Sequence, residues 1–329
     1  SVRQSSGGAV PDVPFCGVQA DEDIIESLKR EALRLPFSAS GPKLSRVGIE
    51  GDQAYVNLFP TVTAARDYLV QLLGAISAIY VRDLNIRLTL AFARLWPSGG
   101  EPFGPYDLGQ FRSYWQTHYD TTGLNIVHLL SGKRDITGYA GVAYISNTCD
   151  GQAYGIDGYI NGSFAAPVRY PDNGNWDINI FAHEMGHNHG TYHTHDDSRY
   201  VPLIDNCGNG TPSRGTIMSY CHTHAGYERN IDLHFHRRVE QLVTSIIDAT
   251  VCHPYDCNGN NRNDSIDIAL GFSLDVNGDK IPDECQDCNG NAILDPIDII
   301  NGVPDIDGNG ILDACESDCN GNSLPDVYE

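Results

Sequence analysis

Between His183 and His193 the chain reads His-Glu-Met-Gly-His-Asn-His-Gly-Thr-Tyr-His. Residues four apart share one face of a helix, so His183 and His187 can turn ring nitrogens toward the same point. Two imidazoles at that spacing form a zinc-binding pattern. Gly190 can take a positive φ without strain, end the helix and let the chain return His193 to the same cation. Three neutral imidazoles leave a fourth coordination position for water, which is the arrangement of a catalytic rather than a closed structural site. Glu184 adjoins a ligand, cannot easily share its metal, and is placed to take a proton from a water whose pKa zinc lowers toward ~7. Five fixed positions recur by chance in roughly one chain of this length in several thousand, so an accidental histidine-rich helix is the weaker reading. His189, His195, His222, His224, His234 and His236 break the spacing and read as surface residues or as supports behind the ligands.

Downstream the chain continues Gly-Thr-Ile-Met-Ser-Tyr at 215–220, and it holds only 2 methionines, which gives the position of Met218 weight. HExxHxxGxxH is the signature of the metzincin zinc peptidases, which this stretch resembles. The resemblance implies a methionine turn with Met218 as the apolar floor under the three imidazoles; by itself Met218 also reads as ordinary core. Tyr220 is similar in placement to a tyrosine of astacins and serralysins, which implies zinc ligation or stabilisation of an oxyanion. It equally reads as a wall of a specificity pocket.

The elements that must position these residues follow in order. At 329 residues two domains are expected. A net charge of -22 and a pI of about 4.7 exclude nucleic acid and anionic membranes as natural partners. Ten cysteines without cytosolic metal-type clusters indicate an oxidising compartment. No apolar run reaches membrane-spanning length and no signal peptide stands at Ser1, so the chain reads as processed and secreted.

Residues 1–14 are small, polar and proline-containing, and read as flexible. Residues 21–35 suit a short helix, with Lys29-Arg30 a candidate cleavage point, and residues 36–45 read as a linker. Alternation predicts a strand over 47–59. Thr61 is placed to cap a helix from Val62 to about Val81. Strands are expected over 84–96, 125–130, 138–146 and 154–160, with helices over 108–119, 176–189 and 231–250. The order β-α-β-α-β-β-β-helix resembles the adamalysin (reprolysin) catalytic domain, a twisted mixed sheet with helices and a small lower subdomain. The resemblance covers residues 46–253. It implies that residues 138–146 form the edge strand that pairs antiparallel with a peptide substrate; on composition alone a buried central strand is the other reading. One departure is Thr194 where adamalysins often place Asp, which here comes at Asp196.

Pro14-Phe-Cys16-Gly-Val is similar to the cysteine-switch segment of matrixins and adamalysins, which implies a thiolate of Cys16 in the open zinc position and a latent enzyme. The other reading makes Cys16 half of a disulfide. Cys207 and Cys221 bracket the methionine turn, and a bridge between them would pin it. Pairs Cys257–Cys285 and Cys288–Cys315, with Cys149, Cys207, Cys221 and Cys252 making two bridges, would leave Cys16 and Cys319; Cys16 is then free as a switch requires, unless it pairs with Cys319.

From Asp256 onward there are 17 Asp and Glu against 2 Lys and Arg. Five loops repeat oxygen side chains at positions 1, 3, 5 and 9, and usually an acid at 12. They are Asp256, Asn258, Asn260, Asp264 and Asp267; Asp275, Asn277, Asp279 and Asp283, with Gln286 at the twelfth place; Asp287, Asn289, Asn291, Asp295 and Asp298; Asp305, Asp307, Asn309, Asp313 and Glu316; and Asp318, Asn320, Asn322, Asp326 and Glu329. This approaches the EF-hand ligand code and suits Ca²⁺. Loop starts define a unit of about 31 residues with two loops each. With few large apolar residues, the tail needs a cation in place of a core; the other reading is a disordered acidic linker. The segment resembles dockerin modules and thrombospondin type-3 repeats.

The expected fold is α/β: residues 1–45 an N-terminal segment, 46–253 a metzincin-type catalytic domain, and 254–329 calcium-stabilised repeats with little regular structure. The expected function is a secreted zinc-dependent endopeptidase with Glu184 as general base and then acid, held latent by Cys16 and acting on polypeptides. The rival is a calcium-dependent adhesion or scaffold protein, engaging a cell-surface or scaffold partner through the repeats, in which the peptidase is secondary.

Overall fold

A computed structural model describes residues 16–20, 42–104, 107–119, 121, 123–134, 139–146, 148, 151–196, 199–207, 214–248, 264–275, 282–286, 289, 291, 293–304 and 312–315, with residues 16–20 as backbone. The chain divides into two compact units, residues 1–34 with 45–253 and residues 35–44 with 254–329. Expectations for residues 1–14 and 21–35, including Lys29-Arg30, fall outside the described residues.

The sheet has strands β1 (Cys16–Ala20), β2 (Lys43–Gly51), β3 (Ile86–Leu95), β4 (Ile126–Leu130), β5 (Gly141–Ile145) and β6 (Tyr154–Asp157). Their order is β1-β5-β6-β4-β2-β3. β2, β4 and β6 are parallel, β5 runs against β6, and β1 pairs parallel with β5 from Cys16 opposite Gly141 to Ala20 opposite Ile145. Parallel neighbours require long crossovers, and helices supply them. α1 (Val62–Leu84) separates β2 from β3, and α2 (Leu108–His118) separates β3 from β4; α3 (Trp176–Asn188) follows β6, and α4 (Arg237–Asp248) closes the unit.

Strand alternation sorts side chains to two faces. Ile126 and Leu130 of β4 join the core built with α1 and α3, while Val127 and Leu129 join Phe111 and Trp115 of α2. Thr61 caps α1, its hydroxyl accepting the Ala64 N–H at 3.0 Å, and Asn85 at φ 51° ends it. Among the described residues no helix is long and apolar enough to cross a membrane.

Several boundaries differ from expectation for local reasons. β2 starts inside the expected linker and stops at Gly51 rather than at residue 59. There the Asp52 carboxylate accepts the Tyr55 N–H at 2.6 Å and starts a helical turn, Gln53–Val56. β6 stops at Asp157 because Tyr159 turns the chain at φ 55°. α4 starts at Arg237 rather than at residue 231, since Ile231 bridges to Gly215 instead.

In the second unit regular structure is denser than its apolar content suggests. α5 (Asp264–Leu270), α6 (Asp295–Ile300) and 3-10 turns at Asp283–Cys285 and Asp313–Cys315 each begin at the ninth position of a loop. The N–H groups of Asp283, Asp295 and Asp313 donate to the carbonyls of Leu274, Gln286 and Pro304, each the residue before its loop. Both helices end alike: Gly271 and Gly302 have positive φ, while Phe272 donates to Asp267 and Val303 to Asp298. Cys285 and Cys315 are both disulfide-bonded.

Candidate metal centre

α3 is buried along all thirteen residues. Its start is fixed by Asp177, which accepts the Tyr68 hydroxyl at 2.5 Å and the N–H groups of Asn161 and Gly162 at 2.8 and 2.9 Å. Burial pushes the Asp177 carboxyl up to about 6, partly opposed by the Tyr68 hydrogen bond. Its end is fixed by Gly190, at φ 89°, whose N–H donates to the His187 carbonyl at 2.9 Å. A Cβ there would press on Ile246 at 2.6 Å. The chain reverses and His193 returns.

His183, His187 and His193 come together, with one ligand atom of each within 4.8 Å of the others. The Nε2 of His187 lies 3.2 Å from that of His183 and 3.1 Å from that of His193. His183 Nδ1 donates to the Ile217 carbonyl and His187 Nδ1 to the Thr191 carbonyl, both at 2.8 Å. Carbonyls only accept, so the proton sits on Nδ1 and the Nε2 lone pairs face one another. Such an arrangement is repulsive until a cation sits between them, and two nitrogens on one tetrahedral zinc stand about 3.3 Å apart. The residues present therefore fit zinc. Burial, then the neighbouring imidazoles, holds His183 well below the usual range. Burial lowers His187 to about 4, against the opposing Thr191 bond. Burial and His187 lower His193 to about 2. All three are neutral, as ligands must be.

Met218 is fully buried against α3. A Cβ at Gly186 would lie 2.6 Å from its sulfur, so the glycine inside the motif is what lets the methionine turn approach. The Met218 carbonyl accepts the Thr194 N–H at 2.9 Å, which ties the third ligand's neighbour to the turn. A Cys207–Cys221 disulfide brackets it. Tyr220 is half-buried beside the cluster, its ring 4.7 Å from His193 and 6.1 Å from His183.

Glu184 is buried, and its carboxylate reaches β5 at Gly141, where a Cβ would collide with it. β5, expected at the edge of the sheet, has β6 on one side and β1 on the other. The backbone of Cys16 is opposite Gly141; its side chain lies outside the described residues.

Two histidines expected at the surface or behind the ligands are internal: His189 donates Nδ1–H to the Met185 carbonyl at 2.7 Å, and His222 packs edge-on to Trp176. His195 lies against both His193 and Tyr220, at 5.1 and 4.2 Å between ring centres. Gly141 and Gly186 are functional positions that residue spacing does not reveal. A glycine opening a strand, and another between two ligands, were the available signals.

In the second unit Asp264, Asp267, Asp295 and Asp298 are buried. The Asp298 carboxylate accepts from the amides of Asn289 and Asn291 at 3.0 and 2.7 Å, bringing positions 3, 5 and 12 of one loop together. Asp275, Asp283 and Asp313 are partly buried. Asp256, Asn258, Asn260, Asn277, Asp279, Asp287, Asp305, Asp307, Asn309, Glu316, Asp318, Asn320, Asn322, Asp326 and Glu329 lie outside the described residues.

A mixed sheet with three converging imidazoles at the end of a buried helix defines a metallopeptidase fold. Residues 41–232 match the family described as metallo-peptidase family M12B, reprolysin-like, and the chain belongs to it. It is similar to a disintegrin and metalloproteinase domain-containing protein, adm-2, of Caenorhabditis elegans, at 27% identity over 183 residues. That match covers 51% of this chain and 17% of the relative, so the chain spans under a fifth of the relative's length. Membership implies zinc-dependent peptide hydrolysis.

Proposed function

We propose that this chain is a secreted zinc endopeptidase in which His183, His187 and His193 hold the metal and Glu184 moves the proton. The observation that carries the reading is the convergence of three Nε2 atoms, two of them left deprotonated by Nδ1–H bonds to backbone carbonyls. Zinc bound there would supply Lewis-acid activation of water and of the scissile carbonyl. The chain's own residues do the rest. Glu184, pressed between α3 and Gly141, accepts the proton of water and passes it to the leaving amine. Tyr220, beside His193, faces the site where negative charge develops on the carbonyl oxygen. Met218 excludes water from beneath the rings. A peptide pairs with β5 by its backbone, which explains a polypeptide substrate.

The place of that peptide is the place β1 takes, with Cys16 level with Gly141 and hence with Glu184. This supports a latent form in which Cys16 supplies a thiolate to the metal. Residues 46–253 form the catalytic domain, and 254–329 a calcium-built module. The buried carboxylates and the converging Asn289, Asn291 and Asp298 support that assignment.

The test is peptide cleavage by the full chain. A zinc chelator should abolish it and added zinc restore it. Glu184→Ala should keep one zinc per chain and lose about 10²–10⁴-fold in kcat/KM; full activity in that variant overturns the mechanism. Cys16→Ala should raise turnover, and no gain overturns latency.

A further inference from the structure

His128 on β4, Asp157 on β6 and Asn188 at the end of α3 are remote in sequence and meet with no solvent contact. His128 Nδ1 is 2.7 Å from the Asp157 carboxylate, and Nε2 is 2.9 Å from Asn188 Oδ1. The Asn188 amide has one workable orientation. Its Nδ2 faces the carbonyls of Tyr144 at 2.8 Å and Tyr154 at 3.2 Å, which can only accept. Oδ1 therefore accepts, so His128 Nε2 carries a proton. A second proton lies between Nδ1 and Asp157, which leaves the buried pair neutral overall. Burial pushes the Asp157 carboxyl up to about 6, with His128 opposing it. The backbone is cut to admit the ring: a Cβ on Gly155 would collide with it.

The chain of bonds leads from the sheet to the metal face. Asn188 follows the ligand His187, and Tyr144 belongs to β5. Two further bonds fasten the same pair of elements. The Ser146 N–H donates to the His187 carbonyl at 3.2 Å, and the Ser146 hydroxyl to the Asn188 carbonyl at 3.0 Å. An apolar trio could fill this volume without the cost of burying polar groups. What directional bonds add is a fixed height and angle between strand and helix.

We propose that Asn188, clamped by His128 and Asp157, is a positioning residue that sets the register of β5 against α3, so that a peptide on β5 lies at a defined height above Glu184. The peptide part rests on the peptidase reading; the strand part does not.

The experiment compares full-length wild type with Asn188→Asp, His128→Phe and His128→Gln, each checked for one bound zinc. Asn188→Asp points a carboxylate at two carbonyls. His128→Phe keeps ring packing without donors, and His128→Gln keeps a donor. Amide hydrogen exchange over 141–146 should speed at least tenfold in the first two variants relative to α1, and return toward wild type in His128→Gln. Turnover should show the same order: kcat/KM for a long peptide that spans β5 should fall at least tenfold more than for a dipeptide substrate. Unchanged exchange over 141–146, or acceleration spread evenly over α1 as well, overturns the proposal. Should Asn188→Asp not fold, the His128 pair decides. Absence of cleavage by both the wild type and Cys16→Ala would defeat the peptidase reading, and the exchange result would still judge the clamp.

Discussion

The unit that carries α3 and the acidic tail are inside-out relative to one another. Around α3, apolar residues from β4, α1 and α4 do the burying, and interior polar groups such as Asp177, His128 and Asp157 are hydrogen-bonded to one another or to Tyr68 and the backbone. Among the described residues of the tail, the carboxylates Asp264, Asp267, Asp295 and Asp298 are buried, together with Ser273, Gln286 and Leu312. Ile266, Leu270, Phe272 and Leu274 stand outside, 46% to 69% exposed. Isolated buried carboxylates cost several kcal/mol each unless paired or coordinated. The difference teaches that one unit rests on an apolar core, whereas the other, on the reading proposed above, would be organised around a cation. Both would use a divalent cation, but imidazoles in a dry pocket select zinc and clustered oxygens select calcium.

That contrast can be broken. His187→Ala should strip zinc and reduce cleavage by more than the ~10–100-fold that loss of a supporting hydrogen bond costs. The helical signal of the catalytic unit should survive, because its core is apolar; collapse of that signal in circular dichroism would erase the contrast. Withdrawing calcium with EGTA should melt α5 and α6 and expose their amides to exchange, with recovery on adding calcium. A tail that keeps its protection without calcium would show that it too folds by itself. Gly186→Ala should destabilise the catalytic unit by about 1–3 kcal/mol through the clash with Met218, read as a lower Tm with zinc stoichiometry intact. The smallest effect concerns Glu228, whose carboxyl burial raises to about 8. The folded form holds the proton more tightly than the unfolded one, so this group's contribution to stability is present below the ordinary carboxylate range and is lost as pH rises toward 8. Glu228→Gln should therefore raise Tm more at pH 8 than at pH 5. An equal change at both would mean that Glu228 is not protonated in the fold.

What could be read from the chain alone follows a physical rule. His183, Glu184, His187, Gly190 and His193 are legible because they are local: one helix and one turn bring them together, and spacing encodes both. Met218 was legible through its rarity. Thr61 and α1 followed from capping and periodicity. Strand ends were less legible, since the Asp52 cap that stops β2 competes with an alternation that runs on past it. The clamp of His128, Asp157 and Asn188 has no local signature: its members are 29 and 60 positions apart and meet only once the sheet has formed. Gly141 and Gly186 matter for the atoms they lack, and such a space is defined only by neighbours from elsewhere in the fold.

The three imidazoles are not equally accessible. Those of His183 and His187 are sealed, while His193, on the returning strand of chain after Gly190, keeps some exposure to solvent. Traffic of a cation into and out of this centre must therefore run past the last ligand rather than along the helix. Anyone seeking to retune metal preference or exchange rate should begin with His195 and Tyr220, the half-buried neighbours of His193, since Thr191 and Tyr192 are themselves buried.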